Sequence, residues 1–295
     1  MNSDRLTNLI QAACVLEATA RKPGNVHPQA AFDDLHYRDF VTAAKIVAPI
    51  LAEAGTLGVG RAVFDSVEAT HSQLGKNVNL GIALLIAPLA AVPPGVLLDV
   101  GVRDVLRNLT QHDADLVYLA IQLVNPGGMG KVEAEDVSGP PSVTLLNAMQ
   151  LAAGRDTIAR QYVDNFDLVL QTAASLLTEA NEFHDRWEEA IVRLHLHLMA
   201  ECPDTLIARK CGNETAQVSS RKAQQVLDAG WPHSEQGRIL LAELDTWLRS
   251  DGNRRNPGTT ADIVAASLFA AFRDGDLSPP SWEDMLGDTF DGDPA

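Results

Sequence analysis

Cysteine is scarce in this chain. Cys14, Cys202 and Cys211 are odd in number and stand at no metal-ligand spacing. A disulfide scaffold is therefore not expected, and a reducing cytoplasm is the expected setting. Basic residues are also short, with 23 Lys and Arg against 39 Asp and Glu and a formal net charge of −16. That balance opposes non-specific binding to nucleic acid or an anionic membrane, so neither is expected as a partner, and an acidic ligand must be met by local cations. The opening MNSDRLTNLIQ carries no basic and then apolar leader, so no secretory signal is expected. Residues 80 to 98 hold no charge, but Pro88, Pro93, Pro94 and Gly95 cut them short. A buried helix of about three turns is the better reading than a membrane span.

Several motifs are missing as well. No period-two run bounded by hairpin turns suggests a strand, and no internal repeat is visible. The stretch NPGGMGKV lacks the first Gly and the final Ser or Thr of a P-loop, and Gly58-Val59-Gly60 is too short for a dinucleotide fingerprint. His195 and His197 point to different sides of a helix, which excludes a metal shared between them. No Ser–His or Cys–His nucleophile follows from spacing.

Helical periodicity is present almost everywhere. A first helix carries the stripe Leu6, Leu9, Ile10, Ala13 behind Ser3 as its cap. Further helices are predicted over 39–54, 60–73, 79–92, 101–109, 113–124, 142–152, 155–180, 183–200, 213–229, 235–249 and 260–273. The predicted fold is all-α, one large multi-helix globular domain over residues 1–286 with buried apolar central helices. An acidic, frayed tail follows over 287–295. The Gly- and Pro-rich stretch 125–142 reads as an active-site loop within that domain, because the two most apolar helices lie on either side of it and need partners.

Those two helices carry the main functional signal. Gly75-Lys76-Asn77-Val78-Asn79-Leu80-Gly81 leads into IALLIAPLAAV, and Asn256-Pro257-Gly258-Thr259-Thr260-Ala261-Asp262 leads into IVAASLFAAF. A helix apolar on every side is buried, so its polar leading loop is drawn inside with it. Helix N-termini offer unpaired N–H groups and partial positive charge, which suit phosphate or carboxylate. Ordinary capping is the competing explanation, an Asx turn at Asn77 or Asn79 and a Thr259-x-x-Asp262 box at the second loop.

Other charged groups join these loops. Extending the stripe of the first helix places Glu17 on its core side, where it needs a cation or a metal, unless it pairs with Arg21 at the helix end. Asp33, Asp34 and Asp39 form a carboxylate cluster suited to Mg²⁺, although Asp34 also fits a turn and Asp39 a helix start. Arg209 and Lys210, before Gly212, can serve as a phosphate fork and a point charge, or can answer the dipole at a helix C-terminus.

In order, these segments resemble the triphosphoribosyl-dephospho-CoA synthase family. The matching pieces are Glu17 with Lys22-Pro23-Gly24-Asn25-Val26, Gly75-x-Asn77-x-x-x-Gly81, Asp204-Thr205 leading to Arg209-Lys210-x-Gly212, and Asn256-Pro257-Gly258-x-x-Ala261-Asp262. The loop after Asn77 lacks the family's usual His and Lys, and the segment around Asp33 lacks its His-Asp-Met-Asp form. Both departures look like a shorter, divergent branch. The resemblance implies an all-helical transferase that joins the ribose of ATP to a hydroxyl of dephospho-CoA and releases adenine. It implies Mg²⁺-bound polyphosphate near Asn25, Lys76, Asn77, Asn79, Asn256, Gly258, Thr259 and Thr260, balanced by Lys22, Arg209 and Lys210. Glu17, Asp33 or Asp262 would hold the metal, and Asp34 or Asp39 would take the acceptor proton. Lys22→Ala and Asn77→Ala are then expected to abolish turnover in a folded protein. Two alternatives stay open: a phosphoribosyl pyrophosphate donor with a pterin-type acceptor, and a non-catalytic nucleotide-binding or scaffold protein. A homodimer is compatible with either enzyme reading.

Overall fold

A computed structural model of the chain describes residues 2–124, 137, 139–177 and 180–286. The helices in the first half are α1 Ser3–Thr19, α2 Tyr37–Ala52, α3 Ala54–Leu57, α4 Val59–Leu74, α5 Leu80–Ala90, α6 Leu98–Arg107 and α7 Gln111–Val124. Those in the second are α8 Leu145–Ala152, α9 Thr157–Val163, α10 Asp167–Leu177, α11 Ala180–Glu201, α12 Thr205–Cys211, α13 Asn213–Asp228, α14 Glu235–Arg249, α15 Gly258–Asp274 and α16 Trp282–Leu286. One short strand, β1 Ser250–Asn253, joins α14 to the loop before α15. The all-α expectation holds. Among the described residues no helix is long and apolar enough to cross a membrane.

Two helices form the centre. Every residue of α5 from Ile82 to Ala90 is buried, and so is every residue of α15 from Thr259 to Arg273 except Asp262. Helices α1, α2, α4, α10 and α11 pack around this pair, and their apolar faces close the main core. Pro88 lies inside α5 and cannot donate to the carbonyl of Leu84. The buried Tyr162 hydroxyl donates to that carbonyl instead, at 2.7 Å, so the helix keeps its course without an orphaned oxygen. A smaller apolar cluster joins the C-terminal part of α11 to α12, α13 and α14 through Leu196, Ile207, Val226 and Leu248.

Some sequence expectations shift. Asn2, not Ser3, caps α1 by accepting from the Arg5 amide, and the Ser3 hydroxyl donates to Glu53. The helix predicted over 155–180 is broken, because Asn165 and Phe166 take left-handed backbone angles between α9 and α10. Phe166 is fully buried, so the apolar rhythm continues through the break and conceals it. The segment before Gly212 is helical. Most of the expected loop over 125–142 and the tail over 287–295 lie outside the described residues.

Candidate active site

The N-termini of α5 and α15 open onto one cavity of about 930 Å³. Its walls bring together residues far apart in the chain. Glu17 and Asn25 come from the end of α1 and the turn after it, and Asp33 and Asp34 from the loop before α2. Lys76, Asn77 and Asn79 come from the loop before α5, Arg209 and Lys210 from α12, and Asn256, Gly258, Thr259 and Asp262 from the start of α15. Of the sequence candidates, Lys22, Asp39 and Thr260 stand behind the wall.

Lys22 is fully buried and its ammonium meets the Glu17 carboxylate at 2.9 Å, with the Glu17 carbonyl as a further acceptor. Its loss therefore strikes the fold first. Arg21 does not pair with Glu17; it forks onto Glu188 at 2.6 and 2.7 Å. Asp39 accepts from the His36 amide at 2.9 Å and from Lys76 at 2.6 Å. Burial works against its charge, but these donors outweigh burial and hold its carboxyl below the usual carboxylate range. A carboxylate so engaged is a poor proton acceptor, and its place is to hold Lys76 at the cavity edge.

The two polar loops differ in how their helices begin. Asn79 is the N-cap residue of α5, yet its side chain does not cap the helix; its amide donates to Thr70 at 3.0 Å. Leu80, Gly81 and Ile82, the first residues of α5, line the cavity with no side chain capping the helix start. The expected Thr259–Asp262 box is absent from α15. Asp204 takes that place from another helix. One of its oxygens caps α12 through the amides of Leu206 and Ile207, at 2.9 and 3.0 Å. The other accepts from both the amide and the hydroxyl of Thr260 at 2.8 Å. Burial still lifts the Asp204 carboxyl above its ordinary range, against the pull of those donors.

Asp262 is half-buried, between buried neighbours on α15, and no described residue donates a hydrogen bond to it. Burial first, then the charges of Glu17, Asp204 and Asp156, hold its carboxyl well above the usual range, with Arg209 opposing. Gly81 makes room for it: a methyl group there would stand 2.0 Å from an Asp262 carboxylate oxygen. Arg209 reaches Asp156 at 3.8 Å. Burial and Arg209 together push Lys210 below the usual lysine range, partly offset by Asp34. Asp34 is gripped by the Asn253 amide, at 3.0 and 2.9 Å to its two oxygens. The Asn25 amide donates to Asn256 at 2.6 Å, which ties the turn after α1 to the turn before α15.

A family model for ATP:dephospho-CoA triphosphoribosyl transferase matches residues 3–279. The chain belongs to that family. Among curated transferases it is 32% identical over 116 residues to a candidate 2-(5''-triphosphoribosyl)-3'-dephosphocoenzyme-A synthase of Pseudomonas syringae pv. tomato, an alignment spanning 39% of each chain. It is 38% identical over 74 residues, 25% of each chain, to the same kind of protein from Pseudomonas savastanoi pv. phaseolicola. A solved structure of a candidate triphosphoribosyl-dephospho-CoA synthase from Archaeoglobus fulgidus superposes with a TM-score of 0.62 at 27% identity, covering 80% of this chain and 99% of that one.

In this transferase-family chain the cavity wall, and the layer behind it in the case of Asp204, also hold residues to which sequence reading gave no role. Asp156 caps α9 and faces Arg209, Asn253 holds Asp34, and Asp204 links two helix starts. The first and last stand at recognisable N-cap positions. Their second contacts come only from tertiary packing. Among the described residues, no group of three or more His, Cys, Asp or Glu side chains is set out as a metal ligand set. Mg²⁺ bound to substrate phosphates needs only one or two protein carboxylates. The unpartnered Asp262, facing Glu17, fits that requirement.

Proposed function

We propose that the chain transfers the triphosphoribosyl group of ATP to a hydroxyl of dephospho-CoA and releases adenine. One observation carries this reading. The uncapped start of α5, the cations Lys76, Arg209 and Lys210, and the unpartnered Asp262 all meet on one cavity. Its volume lies at the upper end of the ~300–1,000 Å³ usual for small-molecule sites, as a two-substrate reaction needs.

The polyphosphate would lie along the α5 N-terminus, with Lys76, Arg209 and Lys210 balancing its charge. Asp262, with Glu17, would hold Mg²⁺, which when bound neutralises polyphosphate charge. The bond from the ribose anomeric carbon to adenine breaks, adenine leaves with the bonding electrons and takes up a proton, and the acceptor oxygen closes on the same carbon. The sugar passes through a cation-like state that facing carboxylates stabilise. The acceptor proton goes to a carboxylate, and Asp34 suits that task better than Asp39. Asp34 lines the cavity and is oriented by Asn253, whereas Asp39 is tied to Lys76 behind the wall. Three free cysteines agree with action in the cytoplasm.

The test is adenine release from Mg²⁺–ATP with and without dephospho-CoA. Acceptor-dependent release is expected. Binding of ATP without release, or release of pyrophosphate from phosphoribosyl pyrophosphate, would reject the assignment of donor and acceptor.

A further inference from the structure

The cavity has two unlike sides. The polar groups come from the ends of α1 and α12, the loops before α2 and α5, β1 and the start of α15. Another side comes from α7, α8 and α9, whose lining residues within the helices are apolar apart from the Tyr118 hydroxyl, with Arg155 and Asp156 as the charged groups at the turn between α8 and α9. On α7, Val117, Tyr118 and Ile121 lie within about one turn of one another and face the cavity, at helical spacing. Leu145 and Met149, also one turn apart, do the same on α8, and Ile158 continues the surface on α9. Val117 and Leu145 are fully shielded from solvent, so this side is part of the packed core and preformed. Leu151, 51% exposed, carries the apolar surface out to the rim.

Of the two substrates in the proposed reaction, ATP consists of a base, a sugar and phosphates. A purine is ordinarily recognised by aromatic stacking together with hydrogen bonds to its edges. The α7–α9 side offers mostly aliphatic side chains, and Tyr118 is its one aromatic among the described residues. Dephospho-CoA has a base, a sugar and phosphates as well, and it alone of the two carries a long, flexible, uncharged arm that ends in a thiol. An extended aliphatic wall running from the core to an open rim matches such an arm in polarity and in shape.

We propose that the α7–α9 wall is the subsite for the acceptor's pantetheine arm, the one part of either substrate that is neither base, sugar nor phosphate. The inference rests on the transfer reaction proposed above. It implies that Ile121 and Met149 select for acceptors bearing the arm and leave the handling of ATP alone.

The experiment compares wild type with Ile121→Asn and Met149→Gln, and with Ile121→Leu as the conservative control. Initial rates of adenine release are measured while dephospho-CoA and ATP are varied separately, and melting curves confirm that each variant is folded. The expected result is a rise in KM for dephospho-CoA of about tenfold or more, with KM for ATP within about twofold and Ile121→Leu close to wild type. Free 4′-phosphopantetheine is the second probe. It should compete with dephospho-CoA in wild type and lose potency in the two polar variants, and this competition is read even if one variant fails to fold.

Unchanged KM for dephospho-CoA, or a rise confined to ATP, overturns the subsite while the transferase reading stands. No acceptor-dependent adenine release from wild type overturns the transferase reading, and the subsite falls with it.

Discussion

Replacing Lys22 by Met tests whether the ion pair beneath the cavity holds the site together or merely accompanies it. The Lys22 side chain is 0% exposed and that of Glu17 is 6% exposed, with 2.9 Å between ammonium nitrogen and carboxylate oxygen. Removing one partner leaves a buried charge without compensation, which costs about 3–5 kcal/mol in such settings. At about 2.1 cal/mol/K of unfolding entropy per residue, that corresponds to a fall in Tm of about 5–8 °C for a chain of 295 residues. The double variant Glu17→Gln/Lys22→Met removes both charges and should recover most of the loss, because the desolvation cost and the attraction vanish together. Melting curves of wild type, both single variants and the double variant give the coupling directly. A Lys22→Met protein melting within about 1 °C of wild type, as an ordinary surface change would, refutes the reasoning. So would a double variant less stable than either single one. The sequence alone suggested that Lys22→Ala would stay folded and lose turnover. Its burial reverses the order, with stability lost first and activity lost as a consequence.

Asp262→Asn should stabilise the ligand-free, metal-free protein, and by more as pH rises. A carboxyl whose folded pKa is raised contributes stability that is fully present below its ordinary pKa and lost as pH climbs through the raised value. The variant lacks that loss, so its Tm advantage should vanish near pH 3.5 to 4 and grow toward neutrality, while turnover falls. A difference in Tm that does not vary with pH contradicts this. Gly81→Ala should still fold, since the preference of Ala over Gly in a helix, about 1 kcal/mol, offsets part of the cost of the crowding it introduces. Its methyl group, 2.0 Å from Asp262 and 2.9 Å from Ile158, must displace the carboxylate. A displacement near 1 Å at a reacting centre lowers turnover by about a hundredfold. Wild-type turnover in this variant would show that the position of Asp262 is unimportant.

Much of the fold was legible because its signals are local. The uncharged runs of α5 and α15 announce burial directly, and capping residues with apolar stripes mark most other helices within a few positions. The break between α9 and α10 was not legible, since it depends on two left-handed residues inside an unbroken apolar rhythm. The site was legible as a set of residues but not as a set of partnerships. Glu17 was correctly read as needing a cation from the Arg21-Lys22 segment, but spacing could not say which: Lys22 takes it, and Arg21 goes to Glu188. Asp39 was read as a metal or base candidate from its acidic neighbours, while its actual partner, Lys76, lies 37 residues away. Such pairings are fixed by packing, which spacing along one helix does not encode.

The two polar loops look alike in sequence and do different work, and Asp204 is the reason. The N-termini of α12 and α15 each carry unpaired N–H groups and partial positive charge, and one buried carboxylate satisfies donors at both. That arrangement pins the helix bearing Arg209 and Lys210 against the helix bearing Asp262. It also places a carboxylate where the sequence had expected a substrate anion to sit on α15. The start of α5 has no such plug, because Asn79 turns its amide toward Thr70. Repulsion between a polyphosphate and Asp204 favours the α5 end, where Lys76 waits with its own charge only partly used by Asp39. On the proposed reaction, the α15 end would then be left to Asp262 and to the sugar carbon undergoing substitution. In the proposed reaction, an anion seated on α5 and a carboxylate standing over Gly81 would put the donor's phosphates and its anomeric carbon on neighbouring turns of the same two helices.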